Sequence, residues 1–191
     1  FDHGGAVLAV LFASGADNFS ARPQRGFRVA RHYPMGLIMH RYVLAAQTAR
    51  APVTASDPEL VGLPSEDLDR FPTQQAITNT LAIFPRGWWS PLPQLEIFGG
   101  PLIAFAPKGV ADPLRSRVSG GQARNALGGD PGGYLGTELD VGMRYRRLMA
   151  GSELTLGLEG GMFLPGEAFN NAQNQTLDTV YAGRATVQYR F

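Results

Sequence analysis

The sequence predicts an all-β fold built as an antiparallel β-barrel, on three observations. Long stretches of the last third alternate apolar and polar residues with period two, the spacing at which strand side chains point to opposite faces. The 24 glycines and 14 prolines, set among few charged residues, suit strands separated by turns. The alternating segments also run well beyond the five or six residues usual in a sheet, and exceed the roughly 9 to 11 that cross a bilayer at a tilt.

In chain order, residues 4–12 supply the earliest strand. Residues 27–44 read as one long strand, with Phe27, Val29, Tyr33, Met35, Leu37, Met39 and Val43 on one face and Arg28, His32, His40 and Tyr42 on the other. Arg31 and Arg41 break the apolar face. A lipid-facing arginine at mid-membrane costs about 2 to 4 kcal/mol, so both belong near strand ends or the register changes at Pro34. Residues 45–74 form a long acidic and proline-rich loop, in which Ser65, followed by Glu66 and Asp67, suits the cap of a short helix. Residues 75–84 and 94–106 form two further strands around the turn PRGWWSPLP. Trp88 and Trp89 in that turn are expected at the membrane interface, where amphipathic rings are favoured.

A long loop over residues 107–133 contains the run GGDPGG, which reads as flexible; it lacks the Lys-Ser/Thr and the strand-to-helix context of a phosphate loop. In residues 134–146, one face carries Leu135, Thr137, Leu139, Val141, Met143 and Tyr145. The other carries Tyr134, Gly136, Glu138, Asp140, Gly142, Arg144 and Arg146. A short link, 148–151, leads to Leu154, Leu156, Leu158, Met162 and Leu164 alternating with Glu153, Thr155, Gly157, Glu159 and Gly161, so the pair reads as a hairpin. From residue 176 onward Leu177, Thr179, Tyr181, Ala185, Val187, Tyr189 and Phe191 face one way, and Asp178, Arg184, Thr186, Gln188 and Arg190 the other. A soluble sheet with one wet face gives the same alternation. Strand length, aromatic residues at strand ends (Tyr145, Tyr189) and the alternation of short and long links favour a membrane barrel in the bacterial outer membrane. The count is about seven strands, and single-chain bacterial barrels hold an even number, so the chain reads as the carboxy-terminal part of a larger barrel.

The ending, Phe191 with Tyr189 and Val187 on its face, resembles the signal by which outer-membrane barrels are recognised for insertion; the partners it implies are the insertion machinery and outer-membrane lipid. The blocks GTELDVGMRYRR and LTLGLEGGMFLPGEAF resemble the carboxy-terminal strands of alginate-export-like outer-membrane barrels, over residues 134–191, with weaker support from FRVARHYPMGLIMHRY. That resemblance implies a monomeric barrel whose lumen carries charged side chains, with Glu138 and Asp140 on the matching acidic positions. The mixed lining departs from the strongly basic constriction that a polysaccharide exporter favours.

The expected pore-lining set is Glu138, Asp140, Arg144, Arg146, Glu153, Glu159, Asp178, Arg184, Gln188 and Arg190. Such charges form a selectivity filter or brace the wall by pairing across strands. The chain has no cysteine, hence no disulfide and no thiolate site. Its net charge of +1, with basic and acidic residues interspersed, argues against nucleic acid. The most apolar stretch, residues 4–13, falls short of the roughly 18 residues of a spanning helix. His32 and His40 are about 26 Å apart along a strand, too far for one metal. No nucleophile motif occurs, so neither an enzyme nor a cofactor is expected. The expected function is a passive outer-membrane channel or exporter component; the competing readings are a plugged structural or adhesive barrel acting through its loops, and a soluble periplasmic β-sandwich.

Overall fold

The computed structural model describes residues 3–15, 27, 29–30, 33, 35–44 and 77–191. Six strands, β1 (Gly4–Ala13), β2 (Thr80–Leu92), β3 (Leu95–Phe105), β4 (Tyr134–Met149), β5 (Ser152–Pro165) and β6 (Val180–Arg190), form one sheet. Its order follows the chain and every neighbouring pair is antiparallel, a meander. The sheet is open, with β1 and β6 as its edges.

Four of the sequence-based expectations change. The strand over residues 27–44 is absent from the described residues: Met39–Val43 form a single π-helical turn, with the Tyr42 and Val43 amides donating to Ile38 O at 2.9 and 3.5 Å. Gly36, at φ +71°, turns the chain out of the extended path just before it. β1 therefore pairs directly with β2, from Gly4 opposite Trp89 to Ala13 opposite Thr80. The turn expected over residues 85–93 lies within β2 instead. Pro85 and Pro91 each remove one donor, but Gly87, Trp88 and Trp89 pair on both sides, and the chain reverses only between Leu92 and Leu95. Pro34, Arg31, His32 and the proposed helix cap at Ser65 lie outside the described residues.

The third change is a β-bulge. Ala104 pairs with Gly136 but Phe105 with Tyr134, so β4 carries an extra residue there. Gly136 adopts φ +129°, and a Cβ on it would lie 2.4 Å from Leu164 O. The bulge reverses the alternation, and Leu135, expected beside Leu139, turns into the core and is buried.

Fourth, the long link between β3 and β4 holds a short helix, α1 (Pro113–Val118), and is tied down by the buried Asn125. Asn125 Nδ2 donates to Asn170 O at 2.7 Å, and its Oδ1 accepts from the Leu127 and Gly129 amides at 2.9 and 3.0 Å. The run GGDPGG is thus held against the link between β5 and β6.

Two short turns, 93–94 and 150–151, lie at one end of the sheet, and the links 14–79, 106–133 and 166–179 at the other. The core sits toward the long-link end of one face, called the inner face below. There Leu11, Ala82, Phe84, Leu102, Ala104, Leu135 and Phe163 are covered by Met35, Leu37, Ile38 and Met39. Phe169 closes it from the side, its ring edge-on to Phe163 at 5.9 Å.

The bulge makes a testable demand. Gly136→Ala, which adds a Cβ at positive φ against a backbone oxygen, is expected to lower stability by about 1–3 kcal/mol. Gly87→Ala, where the new Cβ meets only Gly5 O at 3.7 Å, serves as the neutral comparison. Urea midpoints of the two variants at unchanged slope check this, and equal midpoints would refute it.

Candidate functional site

Antiparallel register places charged residues of neighbouring strands directly opposite one another on the inner face. Glu96 of β3 faces Arg144 of β4, and Arg144 Nη1 donates to Glu96 Oε1 at 3.1 Å. Glu159 of β5 faces Arg184 of β6, whose Nε donates to Glu159 Oε2 at 3.0 Å while Nη2 bonds the same oxygen. Arg146 reaches diagonally to Glu153 at 3.2 Å. These are cross-strand pairs on a partly exposed face, worth a few tenths to about 1 kcal/mol each, so they set side-chain positions more than they stabilise the sheet. Phe98 packs over Gly142 in the same row, with its ring 5.5 Å from the Arg144 guanidinium carbon.

Glu138 behaves differently. Expected to line a path, it is instead wholly buried, at 0% exposure, beneath residues 35–44. Its Oε1 accepts from the Leu37 amide and, at 2.7 Å, from the Ile38 amide; its Oε2 accepts from the Met39 amide at 2.7 Å. Three successive N–H groups with no ladder partner thus converge on one carboxyl group, between Leu102 and Phe163 on the flanking strands. The approach depends on Gly36, whose absent Cβ would lie 3.0 Å from both carboxyl oxygens and 2.7 Å from Leu102. His40 is buried in the same segment, and its Nε2 has no hydrogen-bond partner among the described residues.

The clamped segment covers only part of the inner face. Beside it lies a cavity of about 430 Å³, bounded by Gly36, Leu37 and Arg41 of the segment and by the wall from β1 to β6. Arg144, Arg184, Glu159 and Asp140, all expected in the lining, meet there. So do Arg41, Arg86, Glu96 and Phe98, which sequence reading left out. Arg41 was visible as an arginine spoiling an apolar alternation; Glu96 and Arg86 carry no signal until the register is known.

Of the other expected residues, only Trp88 borders the cavity. Trp88 shares the inner row with Phe98, Gly142, Glu159 and Arg184 and lines the cavity, whereas Trp89 points to the opposite, outer face. Arg146, Glu153, Gln188 and Arg190 lie on the inner face beyond the cavity, toward the short-turn end. Asp178 precedes β6 and lies off the wall. Tyr145, Val187 and Tyr189 face outward, and Phe191 follows β6 fully exposed, its ring 6.1 Å from that of Tyr189. Among the described residues, no group of three or more His, Asp or Glu comes together to hold a metal.

Glu138→Leu keeps the site apolar and orphans three buried donors, at about 1–3 kcal/mol for each. Hydrogen exchange is expected to lose protection at Leu37, Ile38 and Met39 while the β5–β6 pairing keeps it; retained protection at all three amides would refute the clamp. A pH effect follows from His40, whose pKa burial lowers to about 4 from 6.5. The unfolded chain binds a proton below pH 6.5 that the folded chain refuses until about pH 4. Stability is therefore full above pH 6.5 and falls as pH drops toward 4, by about 3 kcal/mol in all. Urea midpoints measured from pH 7 to 4 should show that loss in the parent chain and a smaller one in His40→Leu.

Comparison of the chain with family models, with curated proteins and with solved structures finds no match in any of the three.

Proposed function

We propose that this chain forms wall strands of a bacterial outer-membrane β-barrel, whose charged inner face lines a restricted path for passive passage of a solute or polymer. The observation that carries the reading is the outer face of the sheet. Row after row there is apolar and open: Val10–Ile83–Ile103 near the long links, Leu8 and Leu139 with Met162 and Tyr181 at mid-height, then Met143 and Leu158, and Leu156 beside Val187 near the short turns. Tyr181 and Val187 are 72% and 76% exposed. A continuous apolar sheet face of this extent does not stand in water, whereas it is what a barrel wall turns toward lipid while its other face stays polar.

Aromatic residues mark both margins of that face. Phe12 and Phe105 with Tyr134 lie at the long-link end, and Trp89, Tyr145 and Tyr189 toward the short turns. From Leu95 to Phe105 is about ten steps of about 3.4 Å, which at a tilt of about 40° gives roughly 26 Å of height. That matches the apolar band of about 25 Å between aromatic girdles. Short turns at one end and long links at the other agree with periplasmic and extracellular sides. Closure requires partners for the edges of β1 and β6, from further strands. The resemblance of residues 134–191 to alginate-export-like barrels accords with this reading, and the absence of an apolar spanning helix among the described residues bears on helices alone.

The clamped segment favours a second reading, a structural or adhesive barrel whose lumen is plugged by residues 35–44. Single-channel conductance separates the two: the first expects a conducting parent protein, the second a closed one that opens on Glu138→Leu.

Fractionation tests the membrane assignment. The protein, expressed with an export signal, is expected in the detergent-soluble outer-membrane fraction as a band whose mobility changes on boiling. Release into the aqueous periplasm with no mobility shift would overturn it and return the sheet to a soluble protein with a covered outer face.

A further inference from the structure

We infer that the inner-face cavity binds a small oxyanion, a carboxylate or phosphate group, between Arg41 and Arg86. This names the solute class for the path proposed above and rests on that reading only for passage, since binding itself requires no membrane.

Four arginines line the cavity. Two are committed: Arg144 to Glu96 and Arg184 to Glu159, each the residue opposite it in register. Arg41 and Arg86 make no ion pair among the described residues, though both border the same space of about 430 Å³. They come from different walls, Arg41 from the clamped segment and Arg86 from β2. A ligand between them therefore gains two guanidinium groups, each able to offer parallel N–H donors to a carboxylate or phosphate. The Arg86 guanidinium carbon stands 5.0 Å from the centre of the Phe84 ring, a cation–π contact that holds the group at the cavity without pairing it to an acid.

The test uses Trp88, which lines the cavity and is one of two tryptophans in the sequence. Trp89→Phe leaves it as sole reporter in the full chain, refolded in detergent and titrated with potassium phosphate or potassium succinate at constant ionic strength. A saturable fluorescence change with either anion is expected, weakened about tenfold by Arg41→Gln and by Arg86→Gln, as loss of a charged hydrogen bond demands. It should be unaltered in Arg147→Gln, on the outer face. A response to phosphate alone or to succinate alone identifies the preferred group. No saturable response to either, or one that survives both arginine substitutions, would overturn the inference. Calorimetric titration of the unsubstituted chain with the same two salts reads the binding should Trp89→Phe fail to fold. A chain that binds the anion yet fractionates as a soluble protein would refute the membrane reading and keep the site.

Discussion

The rest of the inner face is arranged around one carboxyl group. Glu138 lies toward the long-link end of the fourth strand of a six-stranded sheet and accepts hydrogen bonds from three consecutive backbone amides of residues 37–39, a stretch with no ladder to join. Burying a polar group so completely is unfavourable unless its hydrogen bonds are made, and burying three unpaired N–H groups is unfavourable for the same reason. Each cancels the other. That mutual satisfaction lets Met35, Leu37, Ile38 and Met39 lie on Phe84, Leu102 and Phe163, and so gives the apolar long-link end of the inner face a hydrocarbon cover.

The two faces then diverge along their length. Near the long links the inner face is a dry core; toward the short turns it becomes a row of opposed charges with Phe98 and Trp88 among them. The clamped segment ends where the charges begin, which is why a cavity forms between them. The outer face shows no such change of character between its aromatic margins, as a uniform apolar surroundings would require.

Period-two alternation made β4, β5 and β6 legible in the sequence, with their facing directions, because both faces of these strands differ in polarity over many residues. β2 was half legible: Pro85, Gly87 and the two tryptophans look like a turn, and only the neighbouring strands reveal that the ladder continues past them. Residues 27–44 misled because alternation was present while those of them that the structure describes take no place in the sheet; Arg41 was the sign of it, an arginine on an otherwise apolar face. The bulge at Gly136 is invisible for the opposite reason, since a glycine in a glycine-rich strand carries no mark of its φ. Pairing of Arg184 with Glu159 depends on register, which alternation suggests but does not number. The clamp was least legible of all, for a backbone amide leaves no residue pattern by which Glu138 could be matched to Leu37, Ile38 and Met39.

The position of the clamp bears on how the chain assembles. Strands β2 to β6 each pair with the next across modest separations, but β1 joins β2 only after residues 14–79 have closed into a loop. Contacts that close long loops form late, because the chain entropy they remove is lost before the contact rewards it. Residues 37–39 lie inside that loop, and once β2, β3 and β4 have paired their attachment to β4 divides it into two shorter ones. The same carboxyl group that holds the inner segment in place thus works as a staging point, from which the first strand has a shorter distance to search for its edge.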